Sequence, residues 1–249
     1  MERYRTRLMW VGAVVVIAVL GGLAYLNATS PAYACAIEWS PSPTPSAAPS
    51  ASPRLGFLQP DMGRTHVDPG SFVKYIYCPP ASGKHYNAQD QGPIKPGVYG
   101  PDDKTIPQGW LHNMEHGGLV LLYRCPGDGV ACTDAGQTAF KQLYAAWPAS
   151  PVCGRPAGAI GPVITRFDDM AYPYAAMVWD EVLPLQTFDK DQILAFFAQQ
   201  AERTNPEPQC TVPSPSPGPT AAPTAAPTAA PSATPASTET APAVSPASS

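Results

Sequence analysis

Gly118-Leu119-Val120-Leu121-Leu122-Tyr123-Arg124 is the stretch on which the fold turns. It is continuously apolar after its opening Gly118, has the length of a strand and follows Gly117, so it reads as a strand buried on both faces at the centre of a sheet. Upstream, Phe72 to Tyr77 (FVKYIY) alternates and is rich in aromatic and β-branched residues. This predicts a second strand between the turn Asp68-Pro69-Gly70 and Cys78-Pro79-Pro80. From Ala81 to Trp110 the chain is dense in Gly, Pro, Asn and Asp, which predicts loop with a short strand at Val98-Tyr99.

Downstream, Asp134 opens a helix in which Phe140, Leu143, Tyr144 and Trp147 share one face before Pro148 stops it. Strands are predicted at Ala159 to Arg166, Tyr174 to Trp179 and Val182 to Thr187. Asp189 then caps a last helix with Ile193, Phe196, Phe197 and Ala201 on its apolar stripe. Strands and helices do not alternate regularly. The expected fold class is therefore α+β, a single compact domain with a mainly antiparallel sheet and two helices.

Composition sets the limits of that domain. The chain has 249 residues and 33 prolines, which concentrate at 40–53 (SPSPTPSAAPSASP) and at 211–249, where PTAA repeats from Pro219. Such segments have too little apolar surface to offset the entropy of ordering and are expected to be extended spacers. The folded domain is expected at 54–210. With 15 Lys plus Arg against 19 Asp plus Glu, net −4, no basic stripe exists to follow a phosphate backbone, so nucleic acid is excluded as a partner.

Arg3, Arg5 and Arg7 precede the uncharged run LMWVGAVVVIAVLGGLAYL at 8–26. Its 19 residues span about 28 Å as a helix, close to the hydrocarbon thickness of a bilayer. The expectation is a cytoplasmic tail at 1–7, a single membrane anchor at 8–26 and everything after it outside the cytoplasm. The alternative is a signal peptide cut after Ala32-Tyr33-Ala34, which also exports the domain. The six cysteines (35, 78, 125, 132, 153, 210) contain no C-x-x-C pair, and in an oxidising compartment they read as disulfides. Cys125 and Cys132 flank the turn PGDGVA and could close a local loop. A Cys35 lying in the spacer would leave one domain cysteine to pair with it or with another chain.

All four histidines, His66, His85, His112 and His116, fall in the loop-rich part. In His112-Asn113-Met114-Glu115-His116 helical geometry would put two imidazoles on one face, where they could hold Zn²⁺ with Glu115 as general base. That spelling matches the inverted zinc-peptidase motif, but Gly117-Gly118 rules out a long helix, and no third ligand is singled out among Asp168, Asp169 and Glu181. Three readings follow. The first is a site for Zn or Cu made by His85, His112 and His116, with Glu115 as ligand or orienter and His66 as an extra ligand; Met62 and Met114 would suit copper. The second is a metal-free envelope interaction module with a structural His–Glu network, its partner a cell-envelope protein or the wall. The third is a metal-dependent hydrolase using Glu115.

Gly63-Arg64-Thr65-His66-Val67, Tyr77-x-Pro79-Pro80-x-Ser82-Gly83-x-His85, Gly97-Val98-Tyr99 and Leu111-His112-x-x-Glu115-His116-Gly117 occur in that order. With the closing Phe188 to Arg203 helix and its Pro-Glu ending, this pattern resembles bacterial domain-of-unknown-function family 3105 over Gly63 to Pro208. The resemblance implies a short cytoplasmic tail, one span and an exported domain. It brings no established activity, so the enzyme question stays open. Where relatives often carry a Trp and sometimes a Cys, this chain has Gly92-Pro93-Ile94-Lys95.

Overall fold

The structure, a computed structural model, describes residues 2–29, 31–38, 54–103 and 105–210, with side chains at all of these except 2, 4, 6, 8, 23–29, 37, 38 and 160. The spacer expected at 40–53 and the tail expected at 211–249 lie outside the described residues.

In chain order the elements are α1 (Glu2–Thr29), β1 (Tyr33–Glu38), β2 (Phe57–Leu58), β3 (His66–Val67), β4 (Val73–Cys78), β5 (His85–Tyr86), β6 (Gly97–Val98), α2 (Pro107–Glu115), β7 (Val120–Tyr123), α3 (Asp134–Ala145), α4 (Ala157–Ile160), β8 (Val163–Arg166), β9 (Tyr174–Val178), β10 (Glu181–Leu185) and α5 (Lys190–Gln200). Among the described residues, no helix is long and apolar enough to cross a membrane.

Six strands form the main sheet in the order β2-β10-β9-β7-β8-β6, with β7 well inside it. The α+β class holds, but the sheet is mixed: β10 pairs antiparallel with β2 and β9, and β9 with β7, while β8 runs parallel to both β7 and β6. The cause is the connection. After β7 the chain passes through α3 and α4 before returning as β8, and a helical crossover returns the chain parallel to the strand it left. Two further short parallel pairs, β1 with β4 and β3 with β5, stand apart from the main sheet.

Both faces of the sheet are covered, which accounts for the unbroken apolar run in β7. Leu119, Leu121 and Tyr123 pack with Phe140 and Leu143 of α3 and with Ile193, Phe196 and Phe197 of α5. Val120 and Leu122 pack on the opposite face with Trp110, Leu111 and Met114 of α2 and with Tyr75 of β4. The two expected helices are α3, capped by Thr133, and α5, capped by Asp189. The helix α2 was not expected, because its surroundings read as loop. Pro107 sits at its start, where a missing N–H costs nothing, and all nine of its residues are buried.

The end of α2 fixes the site geometry. Gly117 N–H donates to Met114 O and Gly118 N–H to Asn113 O, both at 2.9 Å, the paired bonds of a Schellman cap. Gly117 has φ +86, and a Cβ there would meet Glu202 Cγ at 2.8 Å. Three disulfides, Cys35–Cys78, Cys125–Cys132 and Cys153–Cys210, use all six cysteines. Cys35 therefore belongs to a strand, β1, paired and bonded to β4, and residues 33–38 add to the fold ahead of Arg54.

Candidate metal centre

The histidines arrive from three elements. In the β3–β5 pair His66 and His85 are register partners, so the two imidazoles come from neighbouring backbones. The last turn of α2 brings His112 and Glu115, three residues apart and hence on one face. One donor atom from each of His66, His85, His112 and Glu115 lies within 4.8 Å of every other. Glu115 Oε2 is 2.8 Å from His85 Nε2, 3.2 Å from His66 Nε2 and 3.8 Å from His112 Nε2. Donors about 2.1 Å from a common tetrahedral ion sit roughly 3.4 Å apart, so these separations bracket what one ion requires.

The far side of each buried ring is fixed by the backbone. His85 Nδ1–H donates to Gly83 O at 2.8 Å, and His112 Nδ1–H donates to Tyr86 O at 2.6 Å. A carbonyl can only accept, so Nδ1 carries a hydrogen in both rings and Nε2 is the atom turned inward. Carbonyl partners of this kind orient metal-ligating imidazoles. The Ser82-Gly83 motif contributes here: Ser82 Oγ takes the Met62 N–H, and Gly83, at φ +119, packs against the Tyr75 ring and supplies the carbonyl for His85.

Burial is uneven. The side chains of His85, Glu115 and His112 are 0%, 1% and 5% exposed, against 39% for His66. Burial lowers the His112 pKa; the Tyr86 carbonyl opposes this, and His116 and His85 add to it. For Glu115 burial acts upward, but the imidazoles of His85, His66 and His112 outweigh it and hold the carboxyl below its ordinary value. The group is thus a carboxylate beside inward-facing ring nitrogens, a donor set of nitrogen and oxygen suited to Zn²⁺ or Cu²⁺.

His116 stands one step outside. Its Nε2 is 2.9 Å from His112 Nε2, while its Nδ1 meets the Gln209 amide at 3.0 Å and Glu207 Oε2 at 3.6 Å. The methionines are engaged in packing: Met114 is wholly buried in the core and Met62 lies against the same cluster. Asp168 pairs with Arg166, Glu181 with Arg54, and Asp169 accepts from Tyr33, so these carboxylates lie elsewhere. What sequence reasoning missed was the carbonyls of Gly83 and Tyr86 and the segment 202–210. That segment reaches the site through Asn205 Nδ2 and Glu207 N, both donating to Glu115 O at 3.4 Å. The Pro206-Glu207 ending in the resemblance was the one signal pointing there.

No curated protein and no solved structure matches the chain. A family model described as "Protein of unknown function (DUF3105)" matches residues 66–214, from the first site histidine through the segment that packs on Glu115. That span is more than half of the 249 residues and holds all four donors, so the chain belongs to the DUF3105 family of proteins of unknown function.

Proposed function

We propose that this domain binds one divalent transition metal, zinc or copper, through His85, His112, Glu115 and His66. One observation carries the reading: two buried imidazoles, each with Nδ1 spent on a backbone carbonyl, converge through Nε2 on a buried carboxylate. Burying that much polar chemistry is costly unless something compensates it, and a cation would compensate all of it at once.

The site is proposed to work outside the cytoplasm, on a domain tethered by α1. Arg3, Arg5 and Arg7 ahead of the apolar run support that orientation, and three disulfides suit an oxidising compartment. Met9, Trp10, Val11 and the valines up to Val19 on α1 are exposed, as side chains meant for lipid would be. An envelope protein or the wall is the proposed neighbour.

A second reading has its own support. Glu115 Oε2 is within hydrogen-bond distance of both His85 and His66, as a metal-free structural network would have it. Hydrolysis with Glu115 as base has less behind it, since the carboxylate is buried and already engaged by two rings.

Elemental analysis of the purified full-length protein, beside His85→Ala/His112→Ala, tests the proposal. Near-stoichiometric zinc or copper is expected in the parent and none in the variant. No metal in the parent after incubation with both ions would leave only the structural network.

A further inference from the structure

His116 Nε2 lies 2.9 Å from His112 Nε2, close enough for one proton between them. Two lone pairs, or two N–H groups, facing each other at that distance would repel. The partners on the far sides decide which ring carries the hydrogen. His112 Nδ1–H is committed to Tyr86 O, which leaves Nε2 of that ring as a bare lone pair. His116 Nδ1 receives the Gln209 Nε2–H at 3.0 Å, well inside the 3.6 Å to Glu207 Oε2, so the closer partner makes Nδ1 an acceptor and puts the ring's N–H at Nε2, aimed at His112. The relay runs from Gln209 through His116 to the His112 lone pair that a metal would need.

We propose that His116 is a lock on the metal site, a hydrogen-bond donor that competes with metal for His112 Nε2 and is displaced when the ion binds. This rests on the metal reading above. A fifth ligand would have to present a lone pair, and the Gln209 contact sets the opposite tautomer. The ring also has somewhere to go. A cavity of about 230 Å³ lined by Asn113, His116, Arg155 and Gln209 opens beside it, and His116 keeps its own hydrogen as it swings there.

Gln209, which orients the His116 ring, sits on the segment 202–210. The Cys153–Cys210 disulfide ties its end, Glu202 Oε2 accepts the Val152 and Cys153 N–H groups, and Arg64 reaches Pro206 O. Asn205 and Glu207 fasten its middle to Glu115 O. Filling the site therefore breaks the His112–His116 bond and loosens Gln209. Conversely, a partner that pulled this segment away would raise metal affinity by the same factor, because such coupling is reciprocal.

Zinc affinity of the full-length protein, measured by competition with a chromophoric chelator, tests the lock in the parent, His116→Ala and Gln209→Leu. His116→Ala is expected to bind zinc about fivefold more tightly, the worth of one net hydrogen bond. Gln209→Leu, on the exposed segment, is expected to tighten binding by a smaller factor. Weaker binding in His116→Ala would make that residue a ligand and unchanged binding would make it a bystander; either overturns the lock. If His116→Ala does not fold, Gln209→Leu carries the test, and an unchanged affinity there overturns it. Failure of the metal reading itself shows differently, as zero zinc stoichiometry in the parent.

Discussion

Glu115 Oε2 lies 2.8 Å from His85 Nε2, and neither side chain is exposed by more than 1%. The two are 30 residues apart in sequence, one at the end of a helix and one on a two-residue strand. Water does not stand in for either partner at that depth, so removing one leaves the other uncompensated. The core on both sides of β7 makes this arrangement rigid, because α2 is pinned by Trp110, Leu111 and Met114 against the sheet.

Glu115→Gln keeps the shape and removes the charge. Metal affinity is expected to fall by at least about tenfold. Stability of the metal-free protein is expected to fall by about 1–3 kcal/mol, the cost of an ill-matched buried polar group. Chelator competition and urea denaturation read the two effects separately. An unchanged affinity would remove Glu115 from the ligand set.

Exposure separates ligand from brace. His66, 39% exposed, is expected to matter for metal and little for folding: His66→Ala should weaken zinc binding while shifting stability by no more than about 0.5 kcal/mol. His85→Ala, at a fully buried position, should damage both. If His66→Ala binds zinc as the parent does, the exposed imidazole is not a ligand.

Asp180, in the turn joining β9 to β10, has its pKa raised to about 6 by burial, opposed by the Ser82 hydroxyl and reinforced by Asp61. The folded value lies above the unfolded one of 3.8. The folded state therefore holds the proton more tightly, and stability is lost as pH rises from about 4 through about 6. Asp180→Asn removes that loss and also suits φ +59, which Asn tolerates well. The variant is expected to be about 2 kcal/mol more stable than the parent at pH 7.5 and no more stable at pH 4. Urea midpoints at the two pH values check it; equal midpoints at pH 7.5 would contradict the assignment.

The disulfides differ in the loops they close. Cys153–Cys210 spans 57 residues in sequence and Cys125–Cys132 only 7. On chain entropy the first contributes about 4 kcal/mol and the second about 2 kcal/mol. Paired Cys→Ser replacements are expected to rank in that order by urea midpoint. The reverse ranking would mean that residues 202–210 hold their place without the bond.

Much of the architecture was legible because apolar runs and caps are local. The strand at β7, the helices read from Asp134 and Asp189, and the Cys125–Cys132 loop follow from a few adjacent residues. The parallel pairing of β8 was not legible, since it depends on where the chain returns after α3 and α4. Nor was α2, whose Pro107, Gly109 and Asn113 favour loop; its helical state comes from burial of all nine residues and the Gly117 cap. The four donors were each picked out by residue type. Their grouping, with His116 to one side, depends on the His66–His85 register and on carbonyls that no side-chain pattern reveals.

Zinc K-edge X-ray absorption on the zinc-loaded full-length protein tests the central claim most directly. The account predicts a first shell of nitrogen and oxygen at about 2.0–2.1 Å, the outer scattering of three imidazole rings and no sulfur. A shell of oxygens alone, or zinc that washes out leaving the His–Glu bonds intact, would contradict it.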